Sequence, residues 1–239
     1  MILFIIFKIN TLNKRRVITN MNSDIQYKTF AANPENVTKI IVCLHGLGAS
    51  AEDFIPFAKM INNIDTLFIF PQAPNQPISI NAGISMPAWY DIYGIGPDRP
   101  EDNTGIKKSA QQLADLINKL KSEYPKLPIK LIGFSQGGAL ALYTAITNPQ
   151  LCEDILGLST YLPLSKELIS SNLNKQNNQN SHKLNIQLMH GTNDTTIDIK
   201  YAQQSQEVLK QLGYDAPLSK YQMGHEICPE QLHAITQWI

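Results

Sequence analysis

The chain lacks an excess of charge of either sign: 20 lysines and arginines balance 20 aspartates and glutamates. A nucleic-acid binder carries a basic surplus or stripe, so nucleic acid is not an expected partner. Cysteine is scarce. Cys43, Cys152 and Cys228 are odd in number, scattered, and form no C-x-x-C pair. They read as free thiols of a reducing, cytoplasmic compartment rather than as a disulfide framework. The five histidines show no metal-ligand spacing such as H-E-x-x-H, so neither a metal nor another cofactor is expected. Neither G-x-x-x-x-G-K-[ST] nor G-x-G-x-x-G occurs, which makes a nucleotide site improbable.

Long apolar runs are missing too. The opening MILFIIF is far too short to span a bilayer. A secretory signal places its positive charges before the apolar run, whereas Lys14, Arg15 and Arg16 follow it, with no small-residue cleavage site after them. Residues 1–20 are therefore expected to be an extended start or loosely attached, disordered leader, preferred to a weak membrane-surface anchor. Residues 21–239 are expected to form a single domain, since the length suits one α/β unit and no boundary or repeat is visible.

What is present is an alternation of strands and helices. Ile25–Phe30 suits a short edge strand, and Lys39–Leu44 and Thr66–Phe70 suit buried parallel strands. Phe54, Phe57, Ala58 and Ile61 share a helical face; Thr104–Tyr124 is amphipathic with period 3.6. A strand at Ile129–Ile132 runs into a helix ending near Thr147, before Asn148-Pro149. Strands at Ile155–Leu158, Leu184–Met189 and Ala216–Gln222 follow, with helices over about Asp198–Leu212 and from Pro229. The pattern predicts an α/β fold, a mostly parallel sheet with helices on both faces. Two stretches stand apart. The Asn/Gln-rich run near 171–182 reads as a mobile surface loop. Residues 72–108 read as a long irregular segment, yet Met86, Trp89, Tyr90, Ile92 and Tyr93 make it too apolar to be left in water. It serves either as core cover or as a wall of an apolar pocket.

The junction Gly133-Phe134-Ser135-Gln136-Gly137 has a strand before it and a helix after it, the setting of a G-x-S-x-G nucleophile elbow. A serine hydroxyl needs a base, and the base an orienting acid. In this chain order both must follow Ser135 on loops at the same sheet edge. His225, directly after the last strand, is the base of choice. His182 lies in the polar run, His233 within the terminal helix, and His190 suits a structural role at a turn. Asp194 follows the penultimate strand by a short loop and is the preferred acid. Asp198 suits a helix N-cap, while Asp154 and Asp215 precede strands and so belong at the opposite edge. The oxyanion of an acyl-transfer intermediate needs two N–H donors. Gln136, after the nucleophile, offers one, and Leu47 in His45-Gly46-Leu47-Gly48 the other, with His45 making a structural hydrogen bond within that loop.

LHGLGAS, FPQAP, MPAWYDI, GFSQGGALALYTA, MHGTND and MGHEICPEQL, in this order over residues 25–239, resemble the phospholipase/carboxylesterase family that includes the acyl-protein thioesterases. The resemblance implies an α/β-hydrolase without a large lid domain, cleaving acyl esters or thioesters through a Ser-His-Asp acyl-enzyme. It carries over Ser135, Asp194 and His225 as triad and the Leu47 and Gln136 N–H groups as oxyanion donors. It also places Trp89, Met86 and Ile84 beside an acyl-binding groove, favouring the pocket reading of their segment. Lysophospholipase and protein depalmitoylase are the alternatives within the class. An inactive fold serving as a lipid- or acyl-binding module is the alternative outside it. The implied partners are a small acyl ester, thioester or lysophospholipid, with transient membrane-surface contact and a homodimer both left open. Ala49-Ser50-Ala51 and the Asn/Gln-rich insert depart from the family pattern and bear on substrate choice, not on the reaction.

Overall fold

A computed structural model describes residues 25–61, 63–94, 100–171 and 184–239. The expectations for residues 1–20 and for the Asn/Gln-rich run through His182 lie outside the described residues. In chain order the strands are β1 (Tyr27–Phe30), β2 (Lys39–Leu44), β3 (Thr66–Pro71), β4 (Asn75–Ile78), β5 (Ile84–Pro87), β6 (Ile129–Phe134), β7 (Asp154–Leu158), β8 (Asn185–Gly191) and β9 (Leu218–Tyr221). The helices are α1 (Phe54–Ile61), α2 (Asn103–Glu123), α3 (Gln136–Thr147), α4 (Ser165–Ser170), α5 (Ile199–Gln211) and α6 (Pro229–Trp238).

Seven strands form one sheet in the order β1-β3-β2-β6-β7-β8-β9, parallel except for β1, which pairs antiparallel with β3 at the edge. β-branched and aromatic strands buried on both faces split their side chains by period two. Ile40, Val42 and Leu44 of β2 face one core layer with Leu113, Ile117 and Leu140. Ile41 and Cys43 face the other with Phe54, Phe57 and Ile235. Thus α2, α3 and α5 cover one face, and α1 and α6 the other. At the lower edge Lys39 and Lys130 donate to the Ile239 and Trp238 carbonyls, at 2.9 and 3.2 Å, and so hold the end of α6. Asp154 sits at that same edge, paired to Lys130 at 3.3 Å.

The chain leaves β2 towards β3 and later returns on β2's other side as β6. Ligands in open α/β sheets bind above such a reversal of strand order, at the C-terminal strand ends. Two glycines permit the packing there. A Cβ on Gly137 would lie 2.4 and 2.5 Å from the Leu44 and His45 carbonyl oxygens, and one on Gly133 2.5 Å from the Gly137 oxygen and Gly138 Cα. Backbone therefore meets backbone where β2, β6 and α3 converge.

Two elements differ from expectation. β4 and β5 form an antiparallel hairpin inside the segment read as irregular, with Asn75 opposite Pro87 and Ile78 opposite Ile84. The segment holds Pro77 and Pro87, but a two-stranded ribbon is all edge, where a missing N–H is tolerated. The short α4 likewise carries no periodic signal of its own. The remaining segment is pinned by Asp91, whose carboxylate accepts from Ser79 N–H (2.8 Å), Ser79 Oγ–H (2.5 Å) and Ile92 N–H (2.7 Å), a turn-bracing role.

Gly133→Ala is expected to lower stability by about 1–3 kcal/mol, since its methyl meets backbone atoms that cannot rotate away. Urea unfolding checks this; an unchanged midpoint would refute the packing argument.

Candidate active site

Ser135 links β6 to α3 with φ 54° and ψ −121°, a left-handed conformation that costs a non-glycine residue strain and turns its side chain outward. Its N–H donates to the Leu158 carbonyl (2.9 Å), and its own carbonyl accepts from Thr160 Oγ (2.7 Å). The elbow is thereby fixed to the end of β7.

The structure brings Ser135, His225 and Asp194 together. His225 Nδ1 lies 2.7 Å from Asp194 Oδ2, and its Nε2 lies 3.0 Å from Ser135 Oγ. A carboxylate only accepts, so the proton sits on Nδ1 and leaves Nε2 free to accept the serine proton. The ring rests against Phe134, with centroids 4.9 Å apart. The Asp194 side chain is fully buried, and its Oδ1 accepts from the Thr196 (2.9 Å) and Ile197 (2.8 Å) N–H groups. Three hydrogen bonds thus satisfy a charge that burial would otherwise penalise. The rival Asp198 caps α5 by accepting from Lys200 N–H at 2.9 Å.

The other two buried histidines are structural. His190 Nε2 lies 2.7 Å from the Ile197 carbonyl oxygen, which can only accept, so that nitrogen carries the proton. It also stands 3.4 Å from Asp194 Oδ2, behind the acid. Among the described residues its Nδ1 has no partner. His45 makes the loop hydrogen bond expected of it: Nε2 accepts from Ala73 N–H (3.1 Å), and Nδ1–H donates to the Gly46 carbonyl (2.8 Å). Burial lowers both rings below the ordinary histidine value, outweighing in each case the carbonyl bond and the nearby aspartate, Asp53 for His45 and Asp194 for His190. The cysteines are free: burial raises the Cys43 thiol and pushes Cys152 up to about 12, while Cys228 serves as N-cap of α6.

Above Ser135 stands the loop after β2. A Cβ on Gly46 would lie 3.3 Å from Ser135 Cβ, so the loop passes directly over the elbow. Gln136 is the first residue of α3, where an N–H has no carbonyl one turn earlier in the helix. The Leu47 N–H has no acceptor among the described residues. Both proposed donors are therefore free, at one sheet edge. The three residues expected beside a groove are placed differently from one another. Trp89 is 2% exposed, and its indole N–H donates to the His45 carbonyl (2.8 Å), so it supports the loop from within the core. Ile84 is 62% exposed on the hairpin. Met86, half-buried, brings its sulfur to 3.6 Å from where a Gly48 Cβ would sit. The Gln136 side chain, for which the sequence suggested no part, is engaged at both ends: Oε1 accepts from Trp89 N–H (3.0 Å) and Nε2 donates to the Tyr90 carbonyl (2.7 Å). A buried amide immediately after the nucleophile was the only available signal, and it requires knowing that α3 has no exposed face at that position.

A parallel sheet bearing an elbow serine, hydrogen-bonded through histidine to a buried aspartate, defines the class: a serine hydrolase of the α/β-hydrolase fold. Residues 26–239 match the family model described as Phospholipase/Carboxylesterase. Acyl-protein thioesterase 1 of Neurospora crassa is 33% identical over 213 residues, 84% of this chain and 86% of that protein. Its namesake from Gibberella zeae is 34% identical over 216 residues, 84% of this chain and 89% of that protein. Among solved structures, acyl-protein thioesterase 2 of Zea mays superposes with a TM-score of 0.78 at 25% identity, covering 89% of this chain and 96% of the other. SOBER1 of Arabidopsis thaliana does so with 0.76 at 26% identity, covering 84% and 96%. The chain belongs to the phospholipase/carboxylesterase family.

A pH dependence follows from the two buried imidazoles. Unfolded, each binds a proton as pH falls through its ordinary value of 6.5; folded, each resists doing so. Stability is thus fully present above 6.5 and lost progressively below it. The urea midpoint is expected to be level above that value and to fall on acidification, with a shallower fall in His190→Gln. An acid slope identical in the variant would remove His190 from this account.

Proposed function

We propose that the protein hydrolyses acyl thioesters and esters, with Ser135 as nucleophile, His225 as general base and acid, and Asp194 as the group that holds the imidazole. The observation that carries this reading is the single ring of His225 within hydrogen-bond reach of both Ser135 Oγ and Asp194 Oδ2. Ser135 Oγ attacks the acyl carbonyl as its proton passes to His225 Nε2. The tetrahedral oxyanion is held by the Leu47 and Gln136 N–H groups. As it collapses, the carbon–sulfur or carbon–oxygen bond breaks, and the imidazolium protonates the departing thiolate or alkoxide. Water, deprotonated by the same nitrogen, then releases the fatty acid from Ser135.

That the fungal and plant relatives are acyl-protein thioesterases favours an acylated protein as the physiological substrate, which makes depalmitoylation the first reaction to test. The β4–β5 hairpin supports an acyl chain as the group recognised. It is tied to the oxyanion loop by Gly48 N–H donating to the Pro87 carbonyl (2.8 Å), and Ile80, Ile84 and Tyr93 expose apolar surface there. An apolar edge next to the reacting centre suits a chain drawn from a membrane surface. Among the described residues, no helix is long and apolar enough to cross a membrane. The free thiols support a reducing, cytoplasmic setting.

Ser135→Ala is expected to lower kcat by about 10⁴-fold or more on a short nitrophenyl ester and to abolish fluorophosphonate labelling. Near-normal turnover by that variant would sink the assignment, and an unlabelled, inert wild type would make the chain a binding module. In a chain-length series of acyl esters and thioesters, Ile84→Ser should reduce kcat/KM by roughly 3–10-fold for long chains and leave short ones unchanged, reflecting lost apolar contact. Equal loss at every length would place Ile84 outside the acyl path.

A further inference from the structure

We infer that the side chain of Gln136, acting through Trp89, sets the spacing between the two oxyanion donors, so that Gln136 and Trp89 are positioning residues beyond the triad. This rests on the serine mechanism proposed above and concerns a part of it that neither the elbow motif nor the triad geometry assigns. One donor belongs to the elbow, at the start of α3; the other belongs to the loop after β2. Nothing in a G-x-S-x-G turn determines how far apart the two stand.

The segment 87–90 crosses between them. At one end the Gln136 amide grips it in both directions, accepting from Trp89 N–H at 3.0 Å and donating to the Tyr90 carbonyl at 2.7 Å. Because a backbone N–H can only donate and a carbonyl only accept, the amide has one orientation, and both of its ends are engaged. At the other end the segment holds the oxyanion loop on either side of Leu47. Trp89 Nε1–H donates to the His45 carbonyl at 2.8 Å, and the Pro87 carbonyl accepts from Gly48 N–H at 2.8 Å. The Trp89 ring packs beside His45, with centroids 5.2 Å apart. The Trp89 carbonyl is anchored to α2 by the Ser109 hydroxyl. Leu47 is thus suspended between two residues tethered to one rigid strip, and that strip is tethered to the residue supplying the other N–H. Gln136 and Trp89 are each 2% exposed, so water does not compete for these bonds.

Oxyanion donors act by being in place before charge develops, and a displacement of about 1 Å costs roughly 10²-fold in rate. A clamp of this kind should therefore act on kcat and spare KM. A residue that merely fills the core should lower melting temperature and leave the turnover of folded enzyme untouched.

The test compares wild type, Gln136→Met, Trp89→Phe and the double variant with Ser135→Ala, each at a temperature where circular dichroism shows it folded. Trp89→Phe removes the indole N–H together with part of the bicycle, so it carries the test if Gln136→Met does not fold, with its melting temperature reporting the packing loss separately from kcat. Expected is a roughly 10–100-fold fall in kcat on a short nitrophenyl ester with KM within about twofold, the range of a weakened oxyanion donor. Affinity for an acyl trifluoromethyl ketone, which binds as a tetrahedral oxyanion, should fall in parallel. The double variant should be no worse than the poorer single, because both residues lie in one chain of contacts. If Ser135→Ala is inert while both single variants turn over at wild-type kcat, the clamp is wrong and the serine mechanism stands. Independent, multiplying losses would also overturn it. If Ser135→Ala itself retains activity, the serine mechanism fails and takes the clamp with it.

Discussion

The structure depends on one contact in which side chains are forbidden. Where α3 begins, the backbone at Gly137 lies against the carbonyls of Leu44 and His45 at the end of β2, and Gly133 lies against the turn above it. Only this approach lets the loop after β2 pass over Ser135. Strand order makes it available, because β2 and β6 are neighbours at the point where the chain reverses its progress across the sheet. The remaining groups arrive on the same edge from β8 and β9, so four strand ends converge on one serine hydroxyl.

Around that contact the polar groups form two sets with separate tasks. Behind His225, Asp194 is surrounded by the Thr196 and Ile197 amides and backed by His190. Over Ser135, the loop is held by His45, Trp89 and the hairpin carbonyl of Pro87. In the proposed mechanism the first set governs proton movement and the second governs charge on oxygen. They meet at Ser135 and at Phe134, whose ring packs on His225 and lies beside Gly46 of the loop.

Much of this was legible in the sequence for identifiable reasons. Buried parallel strands are short apolar, β-branched-rich runs, and KIIVCL and the shorter IKLI stand out as such; Pro229 and Asp198 mark helix starts through the chemistry of N1 and N-cap positions. Order along the chain then selected Asp194 and His225 from their rivals. The hairpin was hidden because Pro77 and Pro87, which break an interior strand, do no harm in a two-stranded ribbon, where each strand has a free edge. Trp89 was hidden for a different reason. An aromatic residue in a long loop looks the same whether it lines a groove or plugs the core, and only the partner of its indole N–H, the His45 carbonyl, distinguishes the two. The Gln136 amide was invisible on the same ground, since its partners lie 46 and 47 residues away.

The helix that carries the elbow has no outward face: every residue from Gln136 to Ile146 is buried. An ordinary surface helix can fray into water one turn at a time, but this one has no water to fray into. Its amide hydrogens can exchange with solvent only when the layers on both sides of it part, in the same opening that unfolds the sheet. The turn end of the hairpin, by contrast, carries Ile84 in solvent, while its other end stays tied to the loop after β2 through Pro87. The elbow is therefore expected among the slowest-exchanging parts of the chain, and the hairpin tip among the faster ones. Residues at the hairpin tip can change without loosening the elbow.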